Sequence, residues 1–327
     1  MEQIEARAQK IDVIPMVKHY MEELDLYRLF QKYIPKPQSS PMEPAQVLSM
    51  MVINIICAEK PLYKVEEWLY DYMDGLGEDP INANRYNDDQ LARNNDRLFH
   101  ADRNSLMTEL SANAIRVHRL ETGQIHNDTT SITFQGEYAI PDEGAVKLMH
   151  GFNKDHRPDC KQVVFGLNIC ADGYVPLLFQ LYDGNRADVT THRTNWDALR
   201  ALLKKEDFIY IADCKLCSAE NLGHIAGNGG RFITLVPKNR SDVKRFYDHI
   251  RTGEVPWQEA YKVESTRRKG EFTLYRTYEN GPSQEGYRLI WVHSSSKEEQ
   301  DRTRREHRLS KIEEELAILR PKLNRIL

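Results

Sequence analysis

One change of pattern constrains the fold of this chain more than any other feature. Up to about residue 120 the apolar residues recur at three- and four-residue steps, the period of one helix face. After Glu121, runs rich in Ile, Val, Phe and Thr predict strands. The predicted strands cover 125–134, 161–170, 175–182, 208–212 and 231–236, and helices are predicted at 190–205 and 218–227. The sequence therefore predicts an α/β core that follows a helical module.

The connections between the predicted strands favour one pairing scheme. An Asp172-Gly173 turn joins the second and third strands closely, which is typical of an antiparallel hairpin. The helices on either side of the fourth strand favour parallel pairing through crossover connections. Three antiparallel strands followed by helix, strand, helix and strand make the arrangement of a ribonuclease H-like core, which we expect here.

Three regions follow from this pattern. Residues 1–120 are expected to form an all-helical module. The sequence leaves open whether this module binds DNA ends, multimerises or braces the core. Residues 121–240 are expected to form the ribonuclease H-like core. Residues 241–327 are expected to form a partial β-rich insertion that ends in a long charged helix.

The insertion and its helix have their own pattern. Strands are predicted at 262–266, 271–278 and 287–293, and the helix at 297–327. Pro321 is expected to interrupt or end this helix, because proline removes a backbone donor. One face of the helix carries Leu309, Ile312, Leu316 and Leu319.

Composition and charge exclude some classes of protein. The longest apolar run is about a dozen residues, short of the roughly 18–20 residues of a membrane span, and we expect no membrane partner. The N-terminus does not read as a signal peptide, and an odd number of scattered cysteines, 5 in all, indicates reduced thiols. These features predict a cytoplasmic protein. The net charge is −4, but basic residues outnumber acidic ones after residue 230, which points to a polyanionic partner there.

Two aspartates on predicted strands carry the candidate chemistry. Asp128 lies inside the first strand, and Asp213 lies at the carboxyl end of the fourth, its expected neighbour in the sheet. Phosphoryl transfer on DNA needs divalent cations, and hard cations such as Mg²⁺ need carboxylates placed close together. We therefore expect Asp128 and Asp213 to bind Mg²⁺ or Mn²⁺ in a catalytic site. The alternative is that each is an ordinary surface or turn-forming aspartate, although a mid-strand position such as that of Asp128 is disfavoured.

Several segments in this order resemble the DDE insertion-sequence transposases, a family with a ribonuclease H-like core. The first-aspartate strand of that family is similar to HNDTTS at 126–131, and its second-aspartate strand and following helix are similar to IAD at 211–213 and SAENL at 218–222. Between them, HGFNKDHRPDCKQ at 150–162 and GNRAD at 184–188 resemble the basic segment before the second strand and the turn after the third.

The resemblance implies a function and a set of partners. It implies metal-dependent DNA strand cleavage and strand transfer, with Asp128 and Asp213 as the first two acids. Double-stranded DNA would be the partner, both at the terminal repeats of the element and at the target, and the protein would act as a homodimer or higher multimer.

The resemblance also implies a third acid, a glutamate in the pattern Tyr-x₂-Arg-x₃-Glu-x₆-Lys after the β-rich insertion. The sequence does not contain this pattern. We therefore expect a C-terminally truncated transposase with impaired activity. Two alternatives stay open, a non-catalytic DNA-binding or multimerising remnant and another ribonuclease H-like nuclease.

Two basic segments are candidate DNA contacts. A loop predicted to lie beside the aspartates carries side chains for which the family resemblance favours phosphate contact over the alternative of a solvated loop. A predicted hairpin tip could equally contact the DNA backbone or be a solvated turn. These residues are His150, Lys154, His156, Arg157 and Lys161 in the loop and Arg267, Arg268 and Lys269 at the tip. The pair Cys214 and Cys217 also follows a strand, but it lacks the second matched pair of a zinc site.

Overall fold

The computed structural model contains two compact units, Met1–Leu235 and Val236–Leu327. The structure describes residues 11–76, 80–138, 145–152, 157–264 and 270–323. The first unit combines a helical region with a mixed five-stranded sheet, and the second contains a three-stranded antiparallel sheet.

The N-terminal region of the first unit is helical, as the periodicity predicts. Its helices are α1 (Ile14–Glu23), α2 (Leu26–Tyr33), α3 (Pro44–Cys57), α4 (Val65–Leu76), α5 (Asp88–His100) and α6 (Arg103–His118). Although the apolar period runs through α1 and α2, the chain breaks between them at Asp25, which has a left-handed backbone with φ of 57°. Asn87 and Asp102 cap α5 and α6, because each side chain accepts a hydrogen bond from a backbone amide in the first turn.

The apolar helix α3 is the centre of this helical region. Its Val47, Met50 and Ile53 are buried against side chains of α1 and α4. Among the described residues no single helix is long and apolar enough to cross a membrane, although Pro44–Cys57 and Leu62–Tyr70 pass that test as a pair bent by 93°.

The sheet has the strand order that the connections predict. Its strands are β1 (Gln124–Phe134), β2 (Lys161–Cys170), β3 (Pro176–Asp183), β4 (Ile209–Ala212) and β5 (Arg231–Thr234), and their spatial order is β3-β2-β1-β4-β5. The first three strands are antiparallel, whereas β1, β4 and β5 run parallel. Two crossover helices, α7 (His192–Leu203) and α8 (Ala219–Gly227), precede β4 and β5. Gly173 has a φ of +66°, which suits the tight hairpin between β2 and β3.

The two faces of the sheet differ. One face packs on α7, where Trp196 is fully buried and stacks on Phe208 with ring centroids 6.1 Å apart. The opposite face carries partly exposed apolar side chains, such as the stacked pair Phe165 and Phe179. The helical region is joined to the edge of the sheet by Ser111 of α6, whose hydroxyl donates to the carbonyl of Leu177 at 2.6 Å.

The second unit is a small sheet with two helices. It contains α9 (Ser241–Thr252), β6 (Gln258–Glu264), β7 (Phe272–Tyr278), β8 (Trp291–Ser294) and α10 (Ser295–Leu323). β6 begins four residues before the predicted start, because its pairing with β7 extends to Gln258. The prediction that Pro321 interrupts the last helix is wrong, since α10 continues past it to Leu323. Phe246 of α9 stacks on Trp291 of β8 with ring centroids 3.9 Å apart.

Candidate functional site

Asp128 and Asp213 lie at the same end of two neighbouring parallel strands. The register of β1 and β4 pairs His126 with Ile211. Each aspartate lies two residues beyond its member of this pair, so the two hold equivalent positions in the sheet. Because side chains alternate between faces and adjacent strands lie about 4.8 Å apart, this register places both aspartates on one face of neighbouring strands.

Local hydrogen bonds fix the backbone at both aspartates. Oδ1 of Asp128 accepts from the amide of Thr129 at 2.8 Å, and Oδ1 of Asp213 accepts from the amide of Lys215 at 2.9 Å. The hydroxyl of Thr234 on β5 donates to the carbonyl of Asp213 at 2.6 Å, which ties the residue to the next strand. Both carboxylates are exposed to solvent.

A single cavity of about 690 Å³ contains both aspartates. Its wall is otherwise mostly apolar, with Leu167, Ile169 and Ile211 among the lining residues. Within the described part of the chain, no Lys or Arg lines this cavity. Two carboxylates in one cavity create a negative potential that favours binding of a metal ion.

The described residues offer two candidate protein ligands for such an ion and not three. They contain no group of three or more His, Cys, Asp or Glu side chains that could hold a metal. Cys214 and Cys217 lie in the turn after Asp213, and none of the five cysteines forms a disulfide. The candidate site is therefore the aspartate pair alone.

A buried amide network lies on the other face of the same strands. We define it as Asn127, Asn168, Asn195, Tyr210 and His192, each at most 8% exposed. Asn168 is the centre, because its Oδ1 accepts from Asn127 at 3.0 Å and from Asn195 at 2.7 Å, while its Nδ2 donates to Asn195 at 2.8 Å. The network joins β1, β2 and β4 to α7.

The network continues to the hydroxyl of Tyr210. Asn195 donates to this hydroxyl at 2.8 Å, and Nδ1 of His192 lies 3.1 Å from it. Burial raises the pKa of Tyr210, so the hydroxyl stays protonated. The one signal in the sequence is Asn168 itself, an amide within the otherwise apolar run of β2.

The predicted basic loop lies elsewhere on the sheet. His150, Arg157 and Lys161 line a cavity of about 680 Å³ at the far end of β1, where Phe134 pairs with Lys161. Asp128 is six residues back along β1, roughly 20 Å away at the usual rise per residue. The expectation that the loop lies beside the aspartates is therefore wrong for these three residues.

The cations of this cavity already have partners within the chain. Arg157 binds both carboxylate oxygens of Asp159, at 3.0 and 2.8 Å, and this hydrogen bonding lowers the pKa of Asp159. Lys161 donates to the carbonyl of Tyr138 at 3.1 Å. The remaining predicted DNA contacts, Lys154, His156, Arg267, Arg268 and Lys269, lie outside the described residues.

Comparisons with known proteins give one family match and several structural likenesses. Residues 6–112 match the family model described as a domain of unknown function, DUF4277. A search of the curated proteins found no match. The family match therefore covers the helical region only.

The solved structures that are similar to this chain include transposases bound to DNA. One is a piggyBac transposase synaptic complex with hairpin DNA, with a TM-score of 0.43 and 10% identity, covering 86% of this chain and 61% of that chain. Another is a Mos1 transposase paired-end complex with the left transposon end, with a TM-score of 0.24 and 9% identity, covering 67% of this chain and 75% of that one. The chain thus spans about three fifths of the length of the piggyBac transposase chain.

Proposed function

We propose that this chain is a transposase of the DDE class with a ribonuclease H-like core, in which Asp128 and Asp213 bind the catalytic metal. The observation that carries the proposal is the position of the two aspartates, at equivalent places on adjacent parallel strands and in one cavity. The strand order β3-β2-β1-β4-β5 supports the assignment of the core.

The donor set fits Mg²⁺ or Mn²⁺. Magnesium is commonly bound through one or two carboxylates, while water molecules and substrate phosphates complete its octahedral shell. Asp128 and Asp213 supply that number of carboxylates, and the cavity around them has the room for further ligands. When bound, the metal would neutralise the charge that develops on a DNA phosphate and activate the attacking hydroxyl or water.

The residues of the chain act by holding this donor set in place. The amides of Thr129 and Lys215 each bind one oxygen of an aspartate, which restricts the rotation of both carboxylates. Leu167 and Ile211 form an apolar wall of the cavity beside the pair. The buried amide network fixes the strands from the other face.

Double-stranded DNA is the proposed substrate, at element terminal repeats and at a target. The phosphate contacts proposed for His150, Arg157 and Lys161 would lie roughly 20 Å from the aspartates along β1, a separation that one duplex can span. With two protein ligands instead of three, the proposed cleavage by this chain is slow. The same count favours a second candidate function, a DNA-binding transposase remnant without catalysis.

Isothermal calorimetry with Mg²⁺ and Mn²⁺ tests the metal site. The wild-type chain should bind the metal, and Asp128→Asn and Asp213→Asn should each abolish binding. Asp207→Asn is the matched control, because Asp207 is an exposed aspartate just before the opposite end of β4 and should have no effect. A wild-type chain that binds neither metal would refute the proposal.

Cleavage of DNA then separates the remaining possibilities. A transposase should nick duplexes that carry the terminal repeats of its element and leave scrambled duplexes intact, whereas a general nuclease should cut both. Metal binding without any nicking identifies the non-catalytic remnant. In each case the two aspartate variants should lose the activity that the wild-type chain has.

A further inference from the structure

The second half of α10 carries an apolar seam that the other described residues leave exposed. We define the apolar seam as Leu309, Ile312, Leu316 and Leu319, whose exposed fractions are 58%, 42%, 58% and 49%. Large apolar side chains of a folded protein are rarely exposed as a continuous row, and such a row marks an interaction site. The apolar seam therefore needs a partner.

The spacing of the apolar seam is that of a coiled coil. Its members are separated by three, four and three residues, so they occupy successive a and d positions of a heptad repeat. The corresponding positions in the first half of α10 are Ser295, Glu298, Arg302 and Arg305, which are polar. The repeat thus starts at Leu309 and belongs to the second half of the helix.

The first half of α10 contacts the small sheet of its own unit. The hydroxyl of Ser295 accepts from the amide of Leu274 on β7 at 2.9 Å, and Glu298 lies 3.1 Å from Nε2 of His293 on β8. These contacts anchor the start of the helix to the small sheet. The anchored half stabilises the helical conformation of the half that carries the apolar seam, which reduces the cost of helix initiation.

The charges beside the apolar seam identify the occupant. Arg308 is at a g position and Glu313 is at the following e position. In a parallel, in-register pair of identical helices, g of one helix faces the next e of the other, so Arg308 would face Glu313 of the second copy on both sides. An antiparallel pair centred on the apolar seam would instead bring Glu313 near Glu313 and Glu315 near Glu315, which is repulsive.

We propose that the apolar seam pairs α10 with α10 of a second copy of this chain in a parallel, in-register coiled coil. The pairing buries the four apolar side chains of each helix and places opposite charges along both edges. It uses no residue of the aspartate site and requires neither metal nor DNA. Evidence against the proposed metal site would therefore not argue against this pairing, and evidence against the pairing would not argue against the metal site.

Sedimentation equilibrium of the full chain without DNA tests the pairing. The wild-type chain should associate into at least two copies, and Leu316→Lys should raise the dissociation constant about tenfold or more. Ile318→Lys is the matched control, because Ile318 is 63% exposed on the same turn of α10 but lies outside the a and d positions. Circular dichroism should give the same helix content for both variants.

Charge reversal tests the parallel orientation. Arg308→Glu and Glu313→Arg should each weaken association, because each creates like charges that face one another, whereas the double variant should restore the wild-type dissociation constant. A monomeric wild-type chain, or equal effects of Leu316→Lys and Ile318→Lys, would overturn the apolar seam as an interface. A double charge variant that is weaker than both single variants would overturn the parallel register.

Discussion

The buried amide network allows a quantitative prediction about what holds the aspartate strands together. Asn168 is fully buried on β2 and Asn195 is 3% exposed on α7. The two side chains exchange a reciprocal pair of hydrogen bonds, and each also binds residues of the other strands. We consider the truncations Asn168→Ala and Asn195→Ala, singly and together, because they remove overlapping sets of bonds.

The expected loss of stability for each variant follows from the number of side-chain hydrogen bonds that it removes. Asn168 makes four side-chain hydrogen bonds and Asn195 makes three, of which two are shared. At about 1 kcal/mol of net stability per bond, Asn168→Ala should cost about 4 kcal/mol and Asn195→Ala about 3 kcal/mol. The double variant loses only five distinct bonds, so it should cost about 5 kcal/mol in place of an additive value of roughly 7 kcal/mol. The expected coupling energy is about 2 kcal/mol.

Amide hydrogen exchange of peptides from β1 and β2 is the appropriate assay. It reads the opening free energy of the sheet itself, whereas a whole-chain unfolding curve would mix the two compact units. Asn104→Ala is the control, since Asn104 is exposed in the first turn of α6 and its loss should change protection by less than about 0.5 kcal/mol. Additive effects of the two truncations, or a cost for Asn168→Ala equal to that of the control, would refute the reasoning.

Two further predictions concern the first unit. A Cβ on Gly184 would lie 2.0 Å from the carbonyl oxygen of Gln162. Gly184→Ala should therefore destabilise the fold by about 1–3 kcal/mol. Gly123→Ala is the control, because a Cβ there would have nothing within 4 Å and should leave thermal unfolding unchanged. A hydrogen bond from Lys32 lowers the pKa of Glu109, so this carboxylate stabilises the fold above its unfolded-state pKa and loses that effect as the pH falls through the folded-state pKa. Glu109→Gln should therefore lower the melting temperature at neutral pH and not in acid, and an equal loss at both pH values would contradict this.

The strand order could be predicted because each connection leaves a local mark. The Asp172-Gly173 turn specified the antiparallel hairpin, and the helices around β4 specified parallel pairing, as the structure has them. The placement of Asp128 and Asp213 at one end of adjacent strands followed from that order. The break between α1 and α2 left no such mark in the sequence. The apolar period continues through Asp25, and only the left-handed backbone conformation of that residue ends α1 and starts α2.

Features that depend on distant partners could not be predicted in the same way. Asn127, Asn168 and Asn195 are far apart in sequence, and each alone is typical of a turn or a solvated surface. Only the packed sheet and α7 bring them into one network. The position of the basic loop could not be predicted for the same reason, since the register of β1 and β2 decides which end of the sheet receives Lys161.

The network and the aspartate pair are linked through the alternation of β1. Asn127 points into the network and Asp128 points into the cavity, so a slip of one residue would exchange the two side chains between faces. The bond between Asn127 and Asn168 opposes that slip, because it is made only when these residues are paired across the strands. Loss of the network should therefore lower sheet stability and metal affinity together, as in Asn168→Ala. Asp128→Asn should instead lower metal affinity while sheet protection stays the same. Calorimetry and hydrogen exchange on the same two variants distinguish a positioning residue from a ligand.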